Sequence, residues 1–167
     1  MTRTAETAPP AVVRKNVRVQ APIERAFSVF VEQMETWWPA HHHIGANAFQ
    51  SIFVEPRAGG RWYERDTQGN QCDWGTVIAW NPPHKVSLSW HLGPDWKFNP
   101  DLALASEIEI RFTPDGPFTL VELEHRGIER HGEGYEQLVA ALNSPDAWTA
   151  TLAAFANAIA NPQPAKE

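Results

Sequence analysis

Three consecutive histidines, His41, His42 and His43, form the densest group of possible metal ligands or proton carriers in a chain that has seven histidines in all. Neighbouring residues point in different directions in helices and strands alike, so at most two of the three could reach one ion. Metal-binding helices commonly use an i, i+4 pair instead. We therefore predict no metal site here. The segment is expected to be a solvated loop or the mouth of a cavity beside Trp37 and Trp38.

Glu64 and His125 are the two candidates for acid–base chemistry. Glu64 follows Trp62 by two residues, so both side chains share a face of a regular strand. A carboxylate among apolar rings is an arrangement used for general acid or base catalysis. His125 continues an apolar row, and an imidazole there could hydrogen-bond a ligand or transfer a proton. The alternatives are a solvent-facing or arginine-paired Glu64 and a structural His125.

Motifs for covalent or cofactor chemistry are missing from the sequence. It contains no GxSxG nucleophile elbow, no GxxxxGK[ST] phosphate loop and no GxGxxG fingerprint. Cys72 is the single cysteine, which excludes an intrachain disulfide and a cysteine-based metal framework. We predict no cofactor and no metal, and the balance of these observations favours a protein that is not an enzyme.

Length and composition suit one soluble domain. The chain has 167 residues, 43% of them hydrophobic, with eight tryptophans and eight phenylalanines that must be buried. The net charge of −6 gives no attraction to nucleic acid. No secretory signal or run long enough to span a membrane is found. We expect a cytoplasmic protein whose domain covers 13–160, with flexible tails at 1–12 and 161–167.

The chain's hydrophobic periodicity predicts an α+β protein. Residues 13–20 alternate with period two, and a helix of about three turns follows Pro22. A second short helical piece covers 34–38, and two helices close the chain, the last beginning at Ser144 and Pro145. Six one-sided strands are predicted between them, in AFQSIFVE, GRWYERD, QCDWGTVIAW, HKVSLSWHL, SEIEIRF and FTLVELEHRG.

Four segments in order carry a resemblance to a known superfamily: EPRAGGRWYE (55–64), WGTVIAWNPPHKVSLSW (74–90), SEIEIRF (106–112) and VELEHRG (121–127). They resemble the SRPBCC superfamily, which includes the START and birch-pollen-allergen folds, and within it the bacterial proteins similar to the activator of heat-shock-protein ATPase. The resemblance covers residues 13–160. It implies a helix-grip fold, in which a curved antiparallel sheet wraps around a long C-terminal helix and encloses an apolar cavity.

A curved sheet and one helix cannot touch everywhere, so large side chains or a ligand must fill the space between them. Aromatic residues suit either role, and some of the tryptophans could simply fill the core. The residues expected to contact a ligand are Trp37, Trp38, Trp62, Glu64, Trp74, Trp90, His125, Trp148 and Phe155.

Three functions remain open at this point. The first is binding of a small hydrophobic or aromatic ligand, and the second is a cyclase or hydrolase that uses Glu64 and His125. The third, stimulation of a chaperone ATPase, is implied by the resemblance alone, because a fold does not specify an activity. The ligand and the oligomeric state, a homodimer included, are not determined by the sequence.

Overall fold

The computed structural model describes residues 11–39, 42, 45 and 47–161. Its centre is a seven-stranded antiparallel sheet with the order β1-β7-β6-β5-β4-β3-β2. The strands are β1 (Val13–Val19), β2 (Phe49–Val54), β3 (Arg61–Asp66), β4 (Gln71–Asn81), β5 (Lys85–Trp90), β6 (Ser106–Asp115) and β7 (Phe118–Arg126). All seven strands predicted from alternation are confirmed.

One face of the sheet is apolar, as the alternation predicts. In the β6–β7 pair, Ile110 lies opposite Leu123 and Phe112 opposite Val121, and all four side chains are buried. The intervening charged residue Arg111 is exposed. Because residues two apart share a face of a strand, this register places the apolar rows on one side.

Irregular pairing along β4 bends the sheet. On the β3 side, Trp62 pairs with Gly75 and Tyr63 with Asp73, which leaves Trp74 as an extra residue. On the β5 side, the pairing skips Ile78 in the same way. Such bulges bend the bulged strand and increase its twist. They account for the curvature of the sheet and determine where the Trp74 side chain points.

The helices cover the apolar face. The first is α1 (Ile23–Phe27), which continues as a π-helical turn over Ser28–Glu32 and is followed by a 3₁₀ turn over Met34–Thr36. Near the C-terminus lie α2 (Tyr135–Asn143) and α3 (Ala150–Ala160), joined by a π-helical turn over Pro145–Thr149. The predicted stripe of α3 and its leading turn is buried in full and comprises Trp148, Leu152, Phe155 and Ile159.

Ser144 precedes the C-terminal helix, and Pro145 occupies its first turn, as the sequence predicts. The Ser144 side chain does not cap this helix. Its hydroxyl donates backwards to the carbonyl oxygen of Ala141, 2.7 Å away, and thereby closes α2. Ala147 has non-helical dihedral angles, φ −100° and ψ −119°, so the chain is kinked immediately before Trp148.

Phenylalanines fill the space between α3, the first helix and the sheet. Phe30 contacts Phe155 with ring centroids 4.9 Å apart and Phe112 at 5.8 Å. Trp37 packs 5.6 Å from Phe155. These edge-to-face contacts are typical of a filled aromatic core. This part of the interior is therefore packed with side chains.

The domain limits of 13–160 stay a prediction. Ala11 already belongs to the packed structure, because it is buried and its backbone N–H donates to the Glu129 carboxylate at 3.1 Å. Residues 1–10 and 162–167 of the predicted tails lie outside the described part of the chain. Among the helices that are described, none is long and apolar enough to cross a bilayer.

Candidate functional site

A cavity of about 370 Å³ lies where the start of the C-terminal helix meets the sheet. Small-molecule sites usually have volumes of roughly 300–1,000 Å³, so this one can hold a small ligand. We call it the indole cavity. It is lined by Trp38, His42, Trp74, Trp90, Trp96, Ala141, Leu142, Ser144, Asp146, Ala147, Trp148 and Thr151.

Four buried tryptophans from different parts of the chain form its wall: Trp38, Trp74, Trp90 and Trp148. The ring centroids are 5.6 Å apart for Trp38 and Trp74, 5.3 Å for Trp74 and Trp90, and 5.7 Å for Trp90 and Trp148. These spacings and the near-perpendicular planes match favourable aromatic pairs, which contribute about 0.5–1.5 kcal/mol each beyond area burial. The wall is therefore held together by its own rings.

Every indole N–H of this wall is bonded to a protein acceptor. The acceptors are the His42 carbonyl oxygen for Trp38 at 2.8 Å, Glu64 Oε1 for Trp74 at 2.9 Å, the Leu92 carbonyl oxygen for Trp90 at 2.8 Å and His125 Nδ1 for Trp148 at 3.1 Å. An indole nitrogen has a single proton and accepts no hydrogen bond. The wall consequently offers a ligand ring surfaces rather than hydrogen-bond donors.

The polar side chains of the cavity gather at the start of the C-terminal helix. His42 Nε2 lies 2.8 Å from the carbonyl oxygen of Asp146 and therefore donates to it, so that in the neutral ring Nδ1 is the acceptor. Nδ1 is 3.3 Å from the Thr151 hydroxyl, which also lies 3.1 Å from the carbonyl oxygen of Ala147. One end of an otherwise aromatic cavity can therefore exchange protons and hydrogen bonds. Of the three consecutive histidines, His41 and His43 lie outside the described residues.

Glu64 lies behind Trp74 and is not among the lining residues. Its side chain is 1% exposed, and its second carboxylate oxygen accepts the backbone N–H of Gly45 at 3.1 Å. The carboxylate thus fixes the Trp74 indole from the outer side of the cavity. The predicted role of Glu64 as an acid or base stays a prediction.

His125 is also placed behind the wall. It is fully buried, and its two ring nitrogens bond to Trp148 and to the Ser106 hydroxyl, the latter at 2.7 Å. Glu64 and His125 thus hydrogen-bond different tryptophans of the same wall, Trp74 and Trp148 respectively. Neither of the two residues lines the cavity. Their use as an acid–base pair stays a prediction.

Trp37, Trp62 and Phe155 were also predicted to contact a ligand, and none of the three is among the lining residues. Trp37 and Phe155 belong to the filled aromatic core. Trp62 is fully buried under the wall, 5.4 Å from Trp74, and its N–H is the one buried side-chain polar group in the described residues that has no hydrogen-bond partner. Their contact with a ligand stays a prediction.

Trp96 is a cavity residue that the sequence did not identify. It is 45% exposed at the edge of the cavity, with its ring 6.4 Å from Trp90. Its φ of +62° is rare for a bulky residue and strained by about 1–2 kcal/mol. The stretch 93–104 has no helical or strand period from which a side-chain direction could be predicted. The one indication in the sequence is that a large aromatic residue stands in a loop of Gly, Pro and Asp, where no core position explains it.

The described part of the chain contains no group of three or more His, Cys, Asp or Glu side chains that is placed to hold a metal ion.

A second cleft, of about 550 Å³, is lined by residues of the stretch 93–104 together with His131 and Glu133. It shares no lining residue with the indole cavity.

Acid should destabilise the protein through its buried histidines. Burial lowers the pKa of His125 from 6.5 to about 3, with a smaller effect of nearby His131. Burial likewise lowers the pKa of His131 to about 4. Below pH 6.5 the unfolded chain therefore binds protons that the folded chain does not, so stability is present above that pH and is lost as the pH falls. His125 alone should lower the free energy of unfolding by about 2 kcal/mol between about pH 7.5 and about pH 5.

Urea unfolding at the two pH values measures this effect. The carboxyl groups whose pKa is lowered start from 3.8 or 4.5, so their effect falls mostly below the window; they are Asp66, Glu109 and Glu124. The variant His125→Asn should reduce the difference by about 2 kcal/mol and leave the part that comes from His131, whereas the same change at exposed His84 should keep it in full. An undiminished difference in His125→Asn would show that the buried imidazole is not responsible.

Comparisons with known proteins agree with the fold. Residues 20–159 match the family model described as Activator of Hsp90 ATPase homolog 1-like protein. An anthrahydroquino-γ-pyrone synthase, Txn09, solved in complex with SUM, is 40% identical, with 87% of this chain and 95% of that chain covered and a TM-score of 0.62. The self-sacrificing resistance protein CalC from Micromonospora echinospora is 27% identical, with 93% and 97% covered and a TM-score of 0.63.

CalU16 from the same organism shares the fold at 20% identity, with 94% of this chain and 88% of that chain covered and a TM-score of 0.56. A comparison with curated protein sequences gives no match.

Proposed function

The chain belongs to the Activator of Hsp90 ATPase homolog 1-like family, within the SRPBCC superfamily, and we propose that it binds a planar, oxygen-substituted polycyclic aromatic molecule in the indole cavity. The observation that carries this proposal is the wall of four buried indoles whose N–H groups are all bonded to the protein.

Such a wall favours aromatic ligands over lipid chains. An aliphatic chain gains only the burial of its surface, whereas a flat ring also gains aromatic pairing, at about 0.5–1.5 kcal/mol per pair. Two such pairs correspond to about a tenfold preference at equal area. The polar end near His42 and Thr151 suits a ligand with hydroxyl or carbonyl groups along one edge. The similarity to a synthase of an anthrahydroquinone-based pyrone supports the same ligand class.

Titration calorimetry with two probes tests the proposal. A hydroxyanthraquinone should bind in the micromolar range, and a saturated fatty acid of comparable apolar area should bind about tenfold more weakly. As a matched control, Ala141→Trp places a large side chain into the cavity from α2 and should reduce anthraquinone binding without altering the fold. Equal affinity for the two probes, or binding unaffected by the filled cavity, would contradict the proposal.

Ring closure is a second candidate, favoured by the 40% identity to a pyrone synthase. In the reaction the phenolic oxygen of an aryl 1,3-diketone adds to the distal ketone carbon: a C–O bond forms, the C=O π bond breaks, and the phenol proton goes to the ketone oxygen, which gives a hemiketal. Loss of the hemiketal hydroxyl together with one proton from the carbon between the two carbonyls then releases water and forms the C=C bond of the new ring. Electrons and atoms balance without an oxidant. His42 Nδ1, which is an acceptor nitrogen in the neutral ring, takes the phenol proton and gives it to the ketone oxygen; in the second step it takes the proton from the carbon between the carbonyls and gives it to the departing hydroxyl.

Mass spectrometry distinguishes closure from binding. An aryl 1,3-diketone with an ortho hydroxyl should lose one water when incubated with the protein and should do so more slowly with His42→Gln. A rate equal to the protein-free rate would leave binding alone as the function. The predicted chaperone role rests on the family description, and it stays a prediction together with a homodimer.

A further inference from the structure

A hydrogen-bond chain on the inner face of the sheet connects the cavity wall to His131, which lines the second cleft. Trp148 Nε1 lies 3.1 Å from His125 Nδ1, and His125 Nε2 lies 2.7 Å from Ser106 Oγ. The Ser106 hydroxyl continues to His131 Nε2 at 2.8 Å. His125 is fully buried and Ser106 is 1% exposed, so no water competes for these bonds.

The direction of the first two bonds is fixed by chemistry. An indole N–H only donates, so His125 Nδ1 must be the acceptor and its proton must sit on Nε2, which donates to Ser106. Burial keeps the ring neutral, because the pKa of His125 is lowered to about 3. Both ring nitrogens are therefore engaged at neutral pH, and neither is available to a substrate.

Besides its ring contacts within the wall, Trp148 has an anchor on the sheet. It lies in the π-helical turn Pro145–Thr149, directly after the kink at Ala147. The only hydrogen bond of its indole in the described structure is the one to His125 on β7.

We infer that His125 is a positioning residue: it holds the Trp148 indole in the wall of the indole cavity and so sets the affinity for aromatic ligands. This inference rests on the proposed binding function. It replaces the acid–base role considered for His125 with an indirect one, in which the histidine acts on the ligand through Trp148.

Two substitutions at the same position separate the two ring nitrogens. In His125→Asn the amide oxygen occupies roughly the place of Nδ1 and can accept the Trp148 N–H, but the bond to Ser106 is lost. In His125→Gln the amide reaches the place of Nε2 and can bond Ser106, but Trp148 loses its acceptor. Both variants shorten or remove part of the imidazole, so both should be destabilised to a similar extent.

The readouts are the affinity for a hydroxyanthraquinone and the Trp148 indole resonance in a ¹H–¹⁵N spectrum, assigned with Trp148→Phe. We expect His125→Asn to keep the resonance near its original position and the affinity within about threefold, and His125→Gln to shift the resonance and weaken binding about tenfold. Ser106→Ala, which leaves the imidazole and its bond to Trp148 in place, should resemble His125→Asn and replaces it in the comparison should His125→Asn fail to fold.

The outcomes distinguish this inference from the function on which it rests. If the unaltered protein does not bind the probe, the proposed function fails, while an indole resonance that responds to Gln and not to Asn still supports positioning. If the protein binds and the two variants alter resonance and affinity equally, the positioning role of His125 is refuted.

Discussion

Replacing Trp90 with alanine should lower the free energy of unfolding by about 3–5 kcal/mol and abolish binding of the aromatic probe. Trp90 is 3% exposed and lies at the centre of the indole layer. Its ring contacts Trp62 at 5.9 Å, Trp74 at 5.3 Å, His125 at 5.2 Å, Trp148 at 5.7 Å and Trp96 at 6.4 Å. Removing it merges the cavity with a new void, and no neighbour can fill both.

Denaturant unfolding measures the predicted loss of stability, and calorimetric titration measures the predicted loss of ligand binding. Trp96→Ala is the matched control, because Trp96 lines the same cavity but is 45% exposed, and its loss should cost less than about 1 kcal/mol. Trp90→Phe retains one aromatic ring but is smaller than the indole and lacks the N–H bond to the Leu92 carbonyl, so it should remain folded and bind more weakly. A Trp90→Ala protein as stable as Trp96→Ala would show that the indole layer is not part of the core.

Gly75→Ala should destabilise the protein by about 3 kcal/mol or more. A Cβ at Gly75 would overlap the backbone carbonyl oxygen of Ser89 on the neighbouring strand. A backbone atom within a sheet cannot rotate away as a side chain can, so β4 and β5 would have to separate. Gly75 follows Trp74 and Ser89 precedes Trp90, so this separation would also displace two rings of the cavity wall.

Gly69→Ala in the turn between β3 and β4 is the control for this substitution. Nothing lies within 4 Å of a Cβ at Gly69, although its φ is +85°, so alanine there should cost only about 1–2 kcal/mol of backbone strain. Thermal unfolding of the two variants should place Gly75→Ala clearly below Gly69→Ala. The reverse order would mean that β4 and β5 tolerate separation at this point.

The sheet and the last helix could be predicted because their patterns are regular. Alternation in SEIEIRF and FTLVELEHRG gives the strands and their buried face, and the spacing of Trp148, Leu152 and Phe155 gives the buried stripe. A side-chain period shows whether a residue points inward. It does not show which position along the helix axis faces a filled core and which faces a hollow.

That limit explains the division among the aromatic residues. Trp148 and Phe155 share one stripe, yet only Trp148 lines the cavity, because Phe30 and Trp37 fill the space beside Phe155. The bulge that leaves Trp74 unpaired depends on long-range strand pairing, and Trp96 lies in a stretch without a period. Neither could be derived from local sequence.

The same limit applies to Glu64 and His125, the residues predicted to act as acid or base. Both are buried in strands, but the sequence could not show that an indole N–H stands between each of them and the cavity. The sequence indicates His42, with its neighbours, as a residue of the cavity mouth, but nothing in the sequence points to Thr151. Their proximity depends on how the segment after Trp38 meets the start of the C-terminal helix.

The most direct test of the account is a set of intermolecular nuclear Overhauser effects between a bound hydroxyanthraquinone and the protein. The account predicts contacts from the ligand's ring protons to the indoles of Trp38, Trp74, Trp90 and Trp148, which line the cavity. Contacts confined to the second cleft beside His131, with the four indoles unaffected, would contradict it.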